Sequence, residues 1–260
     1  MFLIDSHTHL SVSKFDEDRD QVLQRAHDHE VNLILEIGFN PEIAGRSLRL
    51  AENHDAIYAA IGLHPHDAHK HGEEWFQQIR DLVPGHPKIL AIGEIGLDYY
   101  YKDIATPEQQ QQCFRSQIQL AKELKKPVVI HCREAQADTL RILEEEHAED
   151  IGGIMHCFSG TLDDAKRSLD LGFVLGIGGT ITYKKSPQRE FITQIPLDSL
   201  VLETDCPWLA PVPFRGKRNE PARVRHIAGA LAELYQVPLE VIAEKTTTNF
   251  ERLFGITVNE

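Results

Sequence analysis

Short apolar runs alternate with amphipathic stretches along the whole chain. The runs at 2–6, 31–38, 57–62, 88–94, 127–131, 152–157, 173–178 and 200–205 end in turn-forming or polar residues and read as eight short buried strands. Between them, helical spacing of apolar residues predicts helices near 16–30, 41–54, 73–83, 107–125, 135–147, 161–171, 186–194 and 220–236, with an extra helix over 239–253. Two of these carry sharp signals. Val224, Ile227, Ala228, Leu231, Leu234 and Tyr235 are spaced to share one helix face. Thr106-Pro107-Glu108-Gln109 offers a cap, a proline for the first turn and a capping-box glutamine.

Strands that alternate with helices pair in parallel through right-handed crossovers. Eight such units in 260 residues fit a TIM (β/α)8 barrel, an α/β fold in one domain over 1–260 with an extra C-terminal helix. An open doubly wound sheet is the competing architecture, but no G-x-G-x-x-G turn follows the first strand. Ile-Gly recurs at 37–38, 61–62, 92–93 and 177–178, where glycine lets the chain turn out of a crowded rim.

Composition adds exclusions. No apolar run approaches the roughly 18 residues of a membrane span, and the N-terminus lacks the basic start and cleavage site of a signal peptide. Cys113, Cys132, Cys157 and Cys206 form no C-x-x-C pair, so reduced thiols and a cytoplasmic location are expected. With no evident interface stripe, a monomer is the default. The net charge of −13 argues against a broadly basic surface for long nucleic acid. Activity on nucleic acid would need a local positive site.

The polar residues at the strand ends supply one. In a (β/α)8 barrel the C-terminal ends of all strands share a single mouth. His7 and His9 end the first run, on one side of an extended chain. Gly62-Leu63-His64-Pro65-His66 follows the third run; Glu94 ends the fourth, His131 the fifth, His156 the sixth, and Glu203-Thr204-Asp205 the eighth. A lone histidine at a strand end is ordinarily a hydrogen-bonded core residue, and a lone carboxylate a helix cap. Six donors at five strand ends, His7, His9, Glu94, His131, His156 and Asp205, are instead expected to form a metal centre. Four imidazoles and two carboxylates exceed the needs of one closed structural zinc. They suit two divalent ions about 3.5–4 Å apart that share a carboxylate and activate a water for hydrolysis. Imidazole favours zinc or manganese over calcium; magnesium is the third candidate. The remaining histidines, His27, His29, His54, His69, His71, His86, His147 and His226, read as solvated or structural. Strand alternation turns Cys132 and Cys157 towards the helices as packing residues.

The strings S-H-T-H-L, G-L-H-P-H, I-G-E-I-G-L-D-Y-Y, K-P-V-V-I-H-C-R, M-H-C-F-S-G, L-E-T-D-C-P-W-L-A-P and R-G-K-R-N-E-P resemble the TatD family of metal-dependent deoxyribonucleases, within the amidohydrolase superfamily, from residue 3 to about residue 254. The resemblance implies two ions. His7, His9, Glu94 and Asp205 would hold one, and Glu94, His131 and His156 the other, with Glu94 bridging where many amidohydrolases use a carbamylated lysine. It also implies phosphodiester hydrolysis of DNA, expected to run 3′ to 5′ on single strands or strand ends. Asp205 is the expected general base, with Glu94 and His64 as its catalytic companions. His64, His66 and Arg133 are candidate substrate contacts, Arg133 through its bidentate fork or else in an ion pair. Glu203 would orient a ligand from behind. Arg215, Lys217 and Arg218 after the eighth strand, and Lys184-Lys185 after the seventh, form local basic patches. Phe214, Trp208 and Tyr183 offer stacking surfaces for unpaired bases. Two other functions compete: hydrolysis of amides, esters or lactones on the same barrel, including aminoacyl-RNA deacylation, and metal binding without turnover in a partner-binding protein. The basic loops favour the nuclease over small neutral substrates, and Asp205 beside an open site disfavours the last.

Overall fold

The computed structural model describes residues 1–258; residues 259 and 260, the end of the span expected as one domain, lie outside the described residues. Eight strands pair in parallel in chain order: β1 Leu3–Thr8, β2 Val31–Gly38, β3 Ile57–Ile61, β4 Ile89–Asp98, β5 Val128–Arg133, β6 Gly153–Met155, β7 Phe173–Ile177 and β8 Leu200–Leu202. Parallel strands covered on both faces must be apolar on both, and β1, β4, β6, β7 and β8 are buried along their whole length. Ile4, Leu35, Ala60, Leu90, Val129, Ile154, Val174 and Val201 belong to one buried cluster. They come from all eight strands, and residues so placed can meet only inside a barrel.

The barrel closes at a seam between β1 and β8. Thr8 and Cys206 form a parallel bridge. His9 N donates to Cys206 O at 2.9 Å and Asp205 N to His7 O at 3.0 Å. Beneath them the fully buried Asp5 carboxylate accepts from Thr204 N at 2.8 Å and Thr204 Oγ1 at 2.6 Å. The outer layer holds α1 Arg19–Asp28, α2 Pro41–Asn53, α3 Glu73–Leu82, α4 Pro107–Leu124, α5 Gln136–Glu145, α6 Leu162–Asp170 and α7 Val224–Tyr235, followed by the extra helix α8 Leu239–Phe254. The capping box of α4 forms as its sequence predicts, and Val224, Ile227, Ala228 and Leu231 are the buried face of α7. Phe250 of α8 packs onto the interior cluster. No helix among the described residues is long and apolar enough to cross a membrane.

One expected helix is absent. Residues 186–194 form two short 3-10 turns, Pro187–Glu190 and Ile192–Gln194. Side chains tie the segment to the loop after β6 and to the turn after β7. Gln188 is buried and donates to Phe158 O while accepting from Ser186 Oγ and Thr180 Oγ1, and Arg189 donates to Ile181 O at 2.7 Å. Phe191, Ile192 and Ile195 are also buried; with Gln188 they keep helical spacing, so it is these side-chain bonds and not the apolar periodicity that set the segment apart from a helix. Strand limits shift too. β4 runs on to Asp98 beyond Glu94, whereas β6 and β8 stop short, leaving His156 and Glu203–Asp205 on the loops that follow them.

Removing the Asp5 carboxylate strands buried donors on Thr204 at the seam. Asp5→Ala is expected to lower the unfolding free energy by about 2–4 kcal/mol, read from urea denaturation. A loss within error would mean that the seam does not depend on this pair.

Candidate metal centre

Each site residue is placed by a local device. Glu36 of β2, fully buried, anchors the turn after His9: it accepts from Thr8 Oγ1 at 2.7 Å and from Leu10 N and Ser11 N, each at 2.8 Å. Gly96 of β4 adopts φ +137°, and a Cβ there would lie 2.1 Å from His131 O. Only glycine permits that approach, and it lets β4 and β5 bring Glu94 and His131 together. Asp205 leaves β8 with φ +54°, a left-handed conformation that aspartate tolerates better than most residues.

The expected ligands converge. His7 Nε2 and His9 Nε2 lie 3.1 Å apart. Asp205 Oδ1 is 3.2 Å from His9 Nε2 and 3.9 Å from His7 Nε2. Glu94 sits at the centre: Oε2 is 3.5 Å from His7 Nε2, and Oε1 is 2.7 Å from His131 Nδ1 and 3.8 Å from His156 Nε2. His64 Nε2 also reaches Glu94 Oε1, at 3.8 Å. Among the described residues, the donor groups that could share an ion are His7–His9–Asp205, His7–Glu94–His156, His64–Glu94–His131 and His156–Cys157–Glu203. His156, stacked on His7 with ring centroids 3.4 Å apart, thus groups with His7, and His64 groups with His131.

Charge follows from this crowding. Burial, reinforced by His156, pulls His7 down to about 4, and burial with His131 holds His64 well below the usual histidine range. Burial also opposes protonation of His131, but its bonds to Asp98 and Glu94 prevail and raise it to about 9. At His156 burial is outweighed by Glu203, then Glu94 and Asp205, which raise it to about 10. Burial alone would raise Glu94 and Asp205; the surrounding imidazoles reverse that and lower both. The donor set fits divalent cations. Two imidazole nitrogens point at each other across 3.1 Å with carboxylate oxygens of Glu94 and Asp205 within 3.9 Å, a cluster of lone pairs that a cation would bind together.

The other expected site residues part company. His66 Nε2 is 2.9 Å from Asp98 Oδ2. The Arg133 guanidinium lies 3.8 Å over the Tyr100 ring. Glu203 Oε1 is 3.0 Å from His156 Nδ1, behind the ligand. Arg215 packs on Tyr183 at 4.3 Å and lines a neighbouring cavity. Lys217 is exposed, and the mouth cavity is lined by other residues. Arg218 turns away to Asp18 at 2.6 Å and Lys14 O at 2.7 Å, because its loop folds over residues 14–18. With Arg215 on Tyr183, and Arg223 on Phe214 at 4.3 Å, one face of each ring is already covered. Cys132 packs against the core as expected. Cys157 does not follow strand alternation: it lies past β6 with φ +44° and lines that neighbouring cavity.

Sequence reading missed Asp98, which contacts both His66 and His131 Nε2 at 2.9 and 3.1 Å. β4 continues four residues beyond Glu94, where the apolar run at 88–94 predicts its end, so no strand-end signal marked Asp98. It also missed Tyr100 and Tyr101, 47% and 48% exposed, and placed His69 outside the site although it lines the mouth.

An eight-stranded α/β barrel with clustered imidazoles and carboxylates at its C-terminal mouth has the make-up of a metal-dependent hydrolase. The model for TatD-related DNases matches residues 4–255, and the chain belongs to the TatD family. It is 45% identical over 255 residues to YabD of Bacillus subtilis, named an uncharacterized metal-dependent hydrolase, covering 98% of this chain and 99% of that protein. It is 33% identical over 266 residues to the 3′-5′ ssDNA/RNA exonuclease TatD of Klebsiella pneumoniae, covering 99% of each. The crystal structure of the TatD homologue YjjV from Escherichia coli superposes with a TM-score of 0.92 at 36% identity over 98% of each chain.

Because His131 and His156 are held protonated at neutral pH, a cation must displace a proton from each. Metal uptake is expected to release protons, and affinity to fall as pH drops below their raised values. Calorimetry in buffers of different ionisation enthalpy reads this directly, and zero proton release would contradict it. Asp98→Asn is expected to weaken metal binding about ten- to hundredfold in chelator competition; unchanged affinity would show that Asp98 does not orient His131.

Proposed function

We propose that the protein is a metal-dependent nuclease that removes nucleotides from the 3′ end of single-stranded DNA or of strand ends. Two divalent ions, zinc, manganese or magnesium, would be held by His7, His9, Glu94, His131, His156 and Asp205. The observation that carries this reading is the meeting of five of those side chains, His9, Glu94, His131, His156 and Asp205, at the floor of one open cavity of about 750 Å³ rimmed by Tyr101, Arg133 and Trp208, with His7 buried against them at 3.1 Å from His9 and 3.5 Å from Glu94. The exonuclease name of the Klebsiella relative supports the choice of bond and polarity. Such ions, when bound, supply Lewis acidity and neutralise phosphate charge.

The chain's own residues do the rest. Asp205, its side chain 14% exposed and its carboxylate kept ionised, stands at the cavity floor to take a proton from the attacking water. His64 is neutral and faces the cavity, placed to hydrogen-bond a phosphoryl oxygen. Arg133, stacked on Tyr100 yet free of a carboxylate among the described residues, can fork onto a non-bridging oxygen. Trp208 and Tyr101, 42% and 48% exposed, offer faces for an unpaired base. Glu203 and Asp98 fix His156 and His131 from behind. An acidic protein can thus bind a polyanion because the positive charge is concentrated where the scissile phosphate sits.

Metal-stripped protein reconstituted separately with zinc, manganese and magnesium is expected to shorten 5′-labelled single-stranded DNA stepwise from the 3′ end. Asp205→Asn should slow this by about 10²–10⁴-fold, and His131→Ala should reduce it through lost metal. Protein that binds ions and cleaves no strand would shift the assignment to ester, amide or lactone substrates.

A further inference from the structure

A second cavity of about 780 Å³ opens beside the mouth. It lies between the loops after β6, β7 and β8, and Lys184, Lys185 and Arg215 line it with Cys157, Ser159 and Thr182. No carboxylate is among its lining residues, and among the described residues none of the three cations is engaged in an ion pair. The wall is thus locally basic on a chain of net charge −13. Lys70, which lines the mouth, pairs by contrast with Asp67 at 2.6 Å. The Tyr183 ring carries Arg215 at 4.3 Å, and the Tyr183 hydroxyl donates to Ala210 O at 2.8 Å. The guanidinium therefore rests on a fixed platform.

The two cavities share a wall. His156 lines the mouth and Cys157 this cavity. Leu209 also lines the mouth, and its carbonyl oxygen would lie 2.0 Å from a Cβ on Gly179, so the loops after β7 and β8 are in direct contact there. An anion bound to the lysines is thus next to the reacting centre without touching it. Its affinity must also differ in kind. The mouth carries Glu94, Asp98, Asp103 and Asp205 and repels phosphate unless cations are present; the second cavity has no such requirement.

We infer that this cavity binds the phosphodiester backbone of the substrate strand, next to the scissile bond, through Lys184, Lys185 and Arg215. The identity of the strand rests on the nuclease reading; the anion site rests on the cavity alone. Three unpaired cations on one concave wall match successive phosphates of a flexible single strand. The strand's continuation therefore crosses the β6–β8 side of the rim, while the terminal nucleotide occupies the mouth.

The test is fluorescence anisotropy of a labelled short single strand with the full chain in excess chelator, where the mouth contributes little. The triple variant Lys184→Ala/Lys185→Ala/Arg215→Ala is expected to weaken binding about tenfold or more and to reduce the log–log salt slope by about 2, at roughly 0.7 per phosphate contact. A control removing three exposed cations on the outer helices, Arg49→Ala/Lys166→Ala/Lys245→Ala, should do neither. A methylphosphonate strand should bind weakly to every protein. Wild-type affinity and slope in the first variant, equal losses in the control, or inorganic phosphate binding as tightly as the strand would each overturn the inference, the last by assigning the cavity to a small free anion. Cleavage assayed with metal in the same proteins separates the two readings. A strand bound through the cavity but never cut sinks the nuclease and keeps the anion site. A strand cut with unchanged affinity in the triple variant sinks the anion site and keeps the nuclease.

Discussion

The site depends on the seam where β1 meets β8. His7 and His9 stand on one side of that seam and Asp205 on the other, and no covalent constraint holds them near each other. Backbone bonds from His9 to Cys206 and from Asp205 to His7, with the Asp5–Thr204 pair beneath, hold them in place. The spacing of 3.2 Å between His9 and Asp205 is therefore a property of barrel closure. Interior apolar residues from all eight strands give that closure its driving force, since they leave water only when the sheet curls upon itself.

Glu94 is the second fixed point. A carboxylate 3% exposed is costly unless charge or hydrogen bonding compensates it. Here His7, His64, His131 and His156 surround it. The imidazoles in turn divide into a pair pushed towards neutrality, His7 and His64, and a pair that holds protons, His131 and His156. The division is set by the carboxylates behind them: Asp98 and Glu203 face only the second pair at hydrogen-bonding distance. Protons and cations thus compete for the same lone pairs, which ties metal loading to pH through the fold's own electrostatics.

The fold was largely legible because its signals are local and repeated. Each strand is an apolar run with polar residues at its end, and α4 announces its own cap. The segment 186–194 was not legible. Its apolar residues mimic a helix, while its conformation is decided by Gln188 reaching Phe158, a contact with a distant loop. The candidate ligands could be read as strand-end residues because barrel topology turns sequence alternation into spatial proximity. Asp98 could not, because the reading ended β4 at Glu94 and the strand continues through Gly96 in a conformation that only its approach to His131 explains. Arg218 shows the opposite error: a basic residue in the right loop, drawn by Asp18 to the wrong side. Charge read from sequence locates a loop, and its partners decide where the charge goes.

The proposed centre would hold two ions that share Glu94. Anomalous diffraction from crystals grown with manganese or zinc tests it most directly, without reliance on any substrate. Two peaks about 3.5–4 Å apart are expected on either side of Glu94, one against His7, His9 and Asp205 and the other against His131. A single peak, or peaks that do not contact Glu94, would contradict it.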